Sequence, residues 1–190
     1  MPIHTVDSDI FDSAISLVSA KNAGSTIIIP HVCNNIGIFG AGFAAAVRNK
    51  FPSVATNFEL MGKKTKLGYV QYISVFKDHT YDHDLIFANM IAQNGIINNR
   101  NTRPLNYEYL VRCMIDVREF IKNKNKDTIQ IRCPKFGSGL AGGDWRFISD
   151  LIEDIWININ VIVHNPRNRK FITKFQICTG HKFYSFFCFF

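Results

Sequence analysis

The stretch from Ile27 to Pro52 constrains the chain most. A continuous apolar run, Ile27 to Ile29, leads into a polar turn holding His31, Asn34 and Asn35. Gly37, Gly40 and Gly42 follow, and then a small-residue segment with Ala44, Ala45, Ala46 and Val47. The apolar run reads as a buried strand. The small-residue segment reads as a helix that must stop before Pro52, because the residue preceding a proline is pushed out of the helical region. A strand, a glycine-rich turn and a helix together form a ready site for an anion. Unpaired amides at a helix start attract negative charge, and glycine lets a ligand approach the backbone closely.

A second unit of the same kind lies further on. Thr128 to Cys133 alternates Ile129 and Ile131 as a strand does, and Phe136 ends it. Gly137, Gly139, Gly142 and Gly143 come next, and a helical run begins at Asp144, which is placed to cap it. Two such units suit a ligand with an extended, phosphate-bearing body such as a nucleotide. Neither loop has the lysine and hydroxyl pair of a triphosphate loop, and neither is a dinucleotide fingerprint. Ser138 sits in GSG, outside the elbow motif of a serine hydrolase.

The rest of the chain alternates strands and helices. A short strand is expected over Ile3 to Val6, then an acidic turn with Asp7 and Asp9, and a helix capped by Asp12 or Ser13 running toward Ala20. Val54 to Gly62 reads as a further helical segment, and Tyr69 to Phe76 and the run from Leu85 read as neighbouring strands. The loop between them carries His79 and His83, whose spacing places no metal site in a loop. Gln93 to Thr102 is a polar loop of the sort that walls a ligand cleft. Asn106 is the expected cap of an amphipathic helix bearing Tyr107, Leu110, Val111, Met114, Ile115, Arg118 and Ile121, which fades at Lys122 to Lys126. A last strand is expected over Ile159 to Val163. The pattern predicts an α/β domain with a mixed or parallel sheet.

Composition narrows the setting. The 190 residues suit one domain, residues 1–164, followed by a tail, residues 165–190. From residue 161 onward the chain has five basic residues and no acid, so the body carries 17 basic against 15 acidic residues despite a formal charge of +7. That balance argues against nucleic acid as a partner of the core domain. The tail is basic and then aromatic, ending in FFCFF. It is compatible with folding back, with contacting a partner, with lying near a membrane surface, or with being poorly ordered sequence beyond the functional unit. The five cysteines form no CxxC pair, so neither a disulfide framework nor a zinc site is expected. With no apolar span and no secretory leader, an intracellular setting, cytoplasmic or nuclear, is expected.

The ordered set HVCNNIGIFGAGFAAAVRNKFP, LGYVQYISVF, IFANMIAQNGI, NYEYL and CPKFGSGLAGGDW resembles the macrodomain family. More narrowly, it resembles the branch of ADP-ribose-1''-phosphate phosphatases and terminal ADP-ribose glycohydrolases. The resemblance implies a three-layer α/β/α sandwich around a mixed, largely parallel sheet, with ADP-ribose in a cleft at the strand ends and no cofactor. It places Asp9 at the adenine amino group with Ile10 beside it, and Ser8 where a glycine is usual. Asn34, Gly40, Ala41 and Gly42 match the loop beside the distal ribose. Ser138, Gly139, Leu140, Ala141 and Gly142 match the loop around the diphosphate. The glycohydrolases' lysine has Asn89 or Met90 in its region, their loop acid has Ala141 in its place, and Asn35 stands for an aspartate. The implied function is ADP-ribose binding with hydrolysis of a terminal derivative, foremost ADP-ribose-1''-phosphate to ADP-ribose and phosphate. His31 serves as acid or base there, Asn35 orients ribose or water, and Asp144 is the carboxylate. The alternatives are a non-catalytic ADP-ribose reader and removal of ADP-ribose from a macromolecule.

Overall fold

A central strand, β2 (Thr26–Asn34), is buried along nearly its whole length, and the rest of the fold is arranged around it. The computed structural model describes residues 3–19, 26–62, 65–78, 83–122 and 129–165. The tail reading, the metal reading of His79 and the soluble stretch after Lys122 fall outside the described residues. The elements run β1 (His4–Val6), α1 (Ile10–Val18), β2, α2 (Gly42–Lys50), α3 (Pro52–Met61), β3 (Val70–Asp78) and β4 (His83–Gln93). They continue with α4 (Tyr107–Lys122), β5 (Ile129–Pro134), α5 (Trp145–Ile155) and β6 (Asn160–His164).

The six strands form one sheet in the order β1-β6-β5-β2-β4-β3. Every neighbouring pair is parallel except β3 against β4. Period-two alternation explains the two cores. Ile27, Ile29 and Cys33 of β2, with Leu85, Phe87 and Ile91 of β4, pack under α1, α2 and α3. Ile28, Ile86, Ala88 and Met90 face the other way, against Leu110, Met114 and Val117 of α4 and Ile148 and Ile152 of α5. The sheet is therefore mixed, largely parallel and covered on both faces, an α/β/α sandwich.

The structure moves two sequence boundaries. Helix α1 starts at Ile10, capped by Asp9, whose carboxylate accepts from the amides of Phe11 at 2.9 Å and Asp12 at 3.0 Å. The expected cap at Asp12 or Ser13 is thus one turn too late. An Asx turn at Asp9 satisfies the first orphan amides before Asp12 is reached. Strand β2 also continues through Pro30 to Asn34, so His31 lies within the strand rather than in a turn. Pro30 is tolerated because pairing with β5 stops at Ile28, which leaves the strand laddered on one side only.

The order of strands fixes where a ligand can enter. From β2 the chain leaves through α2 and α3 on one face of the sheet, whereas from β5 it leaves through α5 on the other. Adjacent parallel strands whose connections diverge leave a crevice beyond their carboxyl ends. Here those ends are Asn34 and Pro134.

Candidate functional site

The loop after β2 is shaped by Asn34. Its side-chain oxygen accepts from the amides of Ile36 and Ile38, both at 3.1 Å, and its amide donates to the Ile38 carbonyl at 2.6 Å. Asn34 is buried and holds the loop from within. The next residue works outward. The Asn35 oxygen accepts from the Gly95 amide at 2.8 Å, and its own amide nitrogen lies 3.3 Å from the Asn94 oxygen.

Helix α2 then begins without help. Ala41 is its N-cap and offers no side-chain acceptor, and the first turn holds no acid. Among the described residues, the amides of Ala41, Gly42 and Phe43 find no hydrogen-bond partner. Gly40 adds a separate signal. A Cβ built there meets nothing within 4 Å, and its φ lies outside the left-handed range. Neither packing nor backbone conformation requires a glycine at this position.

The loop after β5 is a tight turn closed from Gly142 to the Gly139 carbonyl and from Gly143 to the Gly137 carbonyl. Among the described residues, the amides of Ser138, Gly139, Leu140 and Ala141 find no hydrogen-bond partner. The Ser138 hydroxyl is already used, donating to the Lys135 carbonyl at 2.7 Å. In contrast to Gly40, Gly143 is sterically required. A Cβ there would stand 2.4 Å from Leu105 and 2.7 Å from the Gly137 carbonyl oxygen.

A third segment, residues 94–105, joins the two loops, and sequence reading recognised it only as a wall. It bonds to the first loop through Gly95 and Asn35, and to the second through Arg103, which donates to the Gly142 carbonyl at 2.9 Å. The Leu105 amide donates to the Ala141 carbonyl at 3.0 Å. The asparagine-rich composition was the available signal, since Asn98 and Asn101 fold this segment on itself.

The sequence-predicted chemical residues are placed as follows. His31 is 2% exposed, ringed by Phe39, Phe43 and Phe87 with centroid distances of 5.5, 5.4 and 6.4 Å. Burial lowers its pKa to about 4, outweighing the nearby Asn89 side chain, which favours the charged form. Its Nε2 and the Oδ1 of Asn89, opposite it in the β2–β4 register, make no bond of proper hydrogen-bond geometry. A neutral, enclosed imidazole does not suit the acid or base role. Cys33 is buried beside it, Sγ to Nδ1 at 3.6 Å, and burial raises the thiol's pKa well above its ordinary value. It is no nucleophile at neutral pH.

Asp144 is exposed and caps α5, accepting from the Arg146 amide at 2.9 Å, while its own amide donates to the Tyr107 hydroxyl at 2.7 Å. Asn89 and Met90, in the region of the glycohydrolase lysine, are fully buried inside the sheet. At the other end of the strand row, Asp9 uses Oδ1 for the α1 cap, and the Ile10 amide has no partner among the described residues. The described structure thus brings Asn35, Gly40 to Gly42 and Ser138 to Gly142 to adjacent strand ends. His31 it sets apart, below the surface.

Neither a family model nor a curated protein matches the sequence. Solved structures do match. A macrodomain protein from Streptomyces coelicolor is 25% identical, over 87% of this chain and 99% of its own, with a TM-score of 0.62. The chain has the macrodomain fold. A second similar structure, a protein of unknown function from Bacteroides thetaiotaomicron, is 26% identical over 86% of this chain and 98% of its own, with a TM-score of 0.68. The fold is also that of part of DarTG from Thermosipho africanus, solved in complex with ADP-ribose. That match is 19% identical, covers 87% of this chain and 42% of that one, and has a TM-score of 0.62. Among the described residues no helix is long and apolar enough to cross a membrane.

Proposed function

We propose that this macrodomain binds ADP-ribose or an ADP-ribosyl derivative in the crevice beyond β2 and β5. The observation that carries the reading is the set of free amides from Ser138 to Ala141, next to the uncapped start of α2. A helix end alone contributes about 0.3–1 kcal/mol toward an anion, too little to hold a ligand. Hydrogen bonds to a charged phosphate contribute about 1.5–3 kcal/mol each, so several convergent amides carry the affinity. In this reading the diphosphate lies over Ser138 to Gly142, and the distal ribose lies beside Asn34, Asn35 and Gly40 to Gly42. The adenine lies at the free Ile10 amide and the second carboxylate oxygen of Asp9. The binding of ADP-ribose by the Thermosipho structure supports it.

On activity, the geometry favours a reader over a hydrolase. His31 is enclosed and neutral, Asp144 is engaged as a cap, and buried Asn89 and Met90 occupy the lysine's region. Hydrolysis of ADP-ribose-1''-phosphate is the second reading, and one observation favours it. With its oxygen fixed on the Gly95 amide at 2.8 Å, Asn35 has a side-chain nitrogen held only by the longer 3.3 Å contact to Asn94, and that nitrogen can donate to a water at the distal ribose. Removal of ADP-ribose from a macromolecule draws on the same group. Equilibrium binding of ADP-ribose, compared with AMP, tests the first reading. Phosphate release from ADP-ribose-1''-phosphate on the same sample tests the second: binding without release leaves the reader, and release that Asn35→Ala abolishes establishes the hydrolase.

A further inference from the structure

Beneath the turn that holds Asp9 lies a buried polar cluster with no part in the phosphate loops. Arg132 of β5 is 9% exposed and His164 of β6 is 2% exposed, and Arg132 Nη1 stands 3.2 Å from His164 Nε2. The guanidinium also donates to the Ser13 hydroxyl and to the Gln130 side chain, each at 2.6 Å. On the far side of the imidazole, Nδ1 lies 3.1 Å from the Ser8 hydroxyl and 3.2 Å from the Ser8 carbonyl oxygen.

These contacts fix the tautomer of His164. A guanidinium can only donate, so Nε2 must accept and carries no proton. A carbonyl can only accept, so Nδ1 holds the proton and donates to Ser8. The charged and titratable groups facing the ring are Arg132 from β5 and Asp9 from the β1–α1 turn, while α1 contributes only the Ser13 hydroxyl, on the guanidinium. Burial lowers the His164 pKa and Arg132 lowers it further, against the opposing pull of the Ser8 carbonyl and Asp9. The neutral, Nδ1-protonated ring therefore persists at neutral pH.

We propose that His164, aligned by Arg132, is a positioning residue that fixes the Ser8–Asp9 turn through its bond to the Ser8 carbonyl and so sets the preference for an amino-bearing purine. This rests on the proposed ADP-ribose reading. The relay runs from a buried guanidinium through a single tautomer to the peptide that orients Asp9. Asp9 then has one oxygen on the α1 amides and the other directed by the turn toward the exocyclic amino group.

The test compares ADP-ribose with its hypoxanthine analogue, which has a carbonyl in place of the amino group, on the full chain. Two polar variants of similar size separate the two sides of the ring. His164→Asn keeps a donor near Nδ1, and His164→Gln carries its amide toward Arg132 instead. The expected result is wild-type preference for ADP-ribose by about tenfold, retained in His164→Asn and lost in His164→Gln, with the analogue's affinity unchanged throughout. A role confined to stability would weaken both ligands together. Equal selectivity in the two variants overturns the positioning role while leaving ADP-ribose binding intact. Absence of wild-type binding overturns the reading beneath it as well.

Discussion

The Asn35 side-chain oxygen accepts the Gly95 amide at 2.8 Å, joining the end of β2 to a segment 60 residues further along the chain. That segment is itself fastened to the second glycine loop by Arg103 and Leu105. The two glycine-rich loops are therefore held in one frame by residues 94–105, which have little regular structure of their own. Replacing Asn35 by Ala removes the acceptor and leaves the Gly95 amide to water. ADP-ribose affinity is expected to fall about tenfold, with a stability loss of about 1 kcal/mol. Asn35→Asp keeps an acceptor toward Gly95 and should retain most of both. Calorimetric titration and chemical denaturation of the two variants measure this directly.

Gly40 offers a cleaner separation of folding from binding. Nothing in the protein lies within 4 Å of a Cβ placed there, so Gly40→Val should fold with unchanged thermal stability. If ligand occupies that space, the side chain displaces it and ADP-ribose binding drops by at least about tenfold. Gly143→Ala should do the reverse. Its methyl group must move Leu105 and the Gly137 carbonyl, costing about 1–3 kcal/mol of stability.

Asp144 distinguishes a cap from a catalyst. Its carboxylate satisfies the Arg146 amide at the start of α5. Asp144→Ala is expected to lower stability by about 1 kcal/mol, and Asp144→Asn by much less, because asparagine caps nearly as well. ADP-ribose affinity should be unchanged in both. A large loss of turnover in Asp144→Asn, with stability intact, would place the carboxylate in the chemistry instead.

The fold and the two glycine-rich turns were legible because they depend on local rules. The apolar run at Ile27 to Ile29, the glycines of the two turns and the caps at Asn106 and Asp144 each act within a few residues. What the sequence hid depends on contacts far apart in the chain. His31 read as a turn residue because it is polar and follows the apolar run, and only the one-sided ladder of β2 shows why the strand continues past Pro30. Its enclosure by Phe39, Phe43 and Phe87 draws on three separate elements, so no local pattern announces it. The same holds for the Ser8, Arg132 and His164 cluster, where the partners are up to 156 residues apart. Asp9 was assigned to the ligand by resemblance, while its capping of α1 was given to Asp12 or Ser13.

Burial of His31 sets a pH dependence. Its folded pKa of about 4 lies below the unfolded value of 6.5, so between them the unfolded chain binds more protons than the folded one. The contribution is fully present above 6.5 and is lost as pH falls toward 4, amounting to about 3 kcal/mol. His164, also lowered, adds to the loss with the same sign. Denaturation midpoints measured from pH 7 to pH 5 should fall, and His31→Gln should flatten that slope. Unchanged slopes would mean that His31 is reached by water.

Titration of the full chain with ADP-ribose by calorimetry tests the central claim most directly. The arrangement of free amides at Ser138 to Ala141 and at the start of α2 predicts a single saturable site with a dissociation constant on the order of micromolar, exothermic and weakened in Gly40→Val. A folded sample that gives no binding heat and no ligand-induced rise in thermal stability would contradict it.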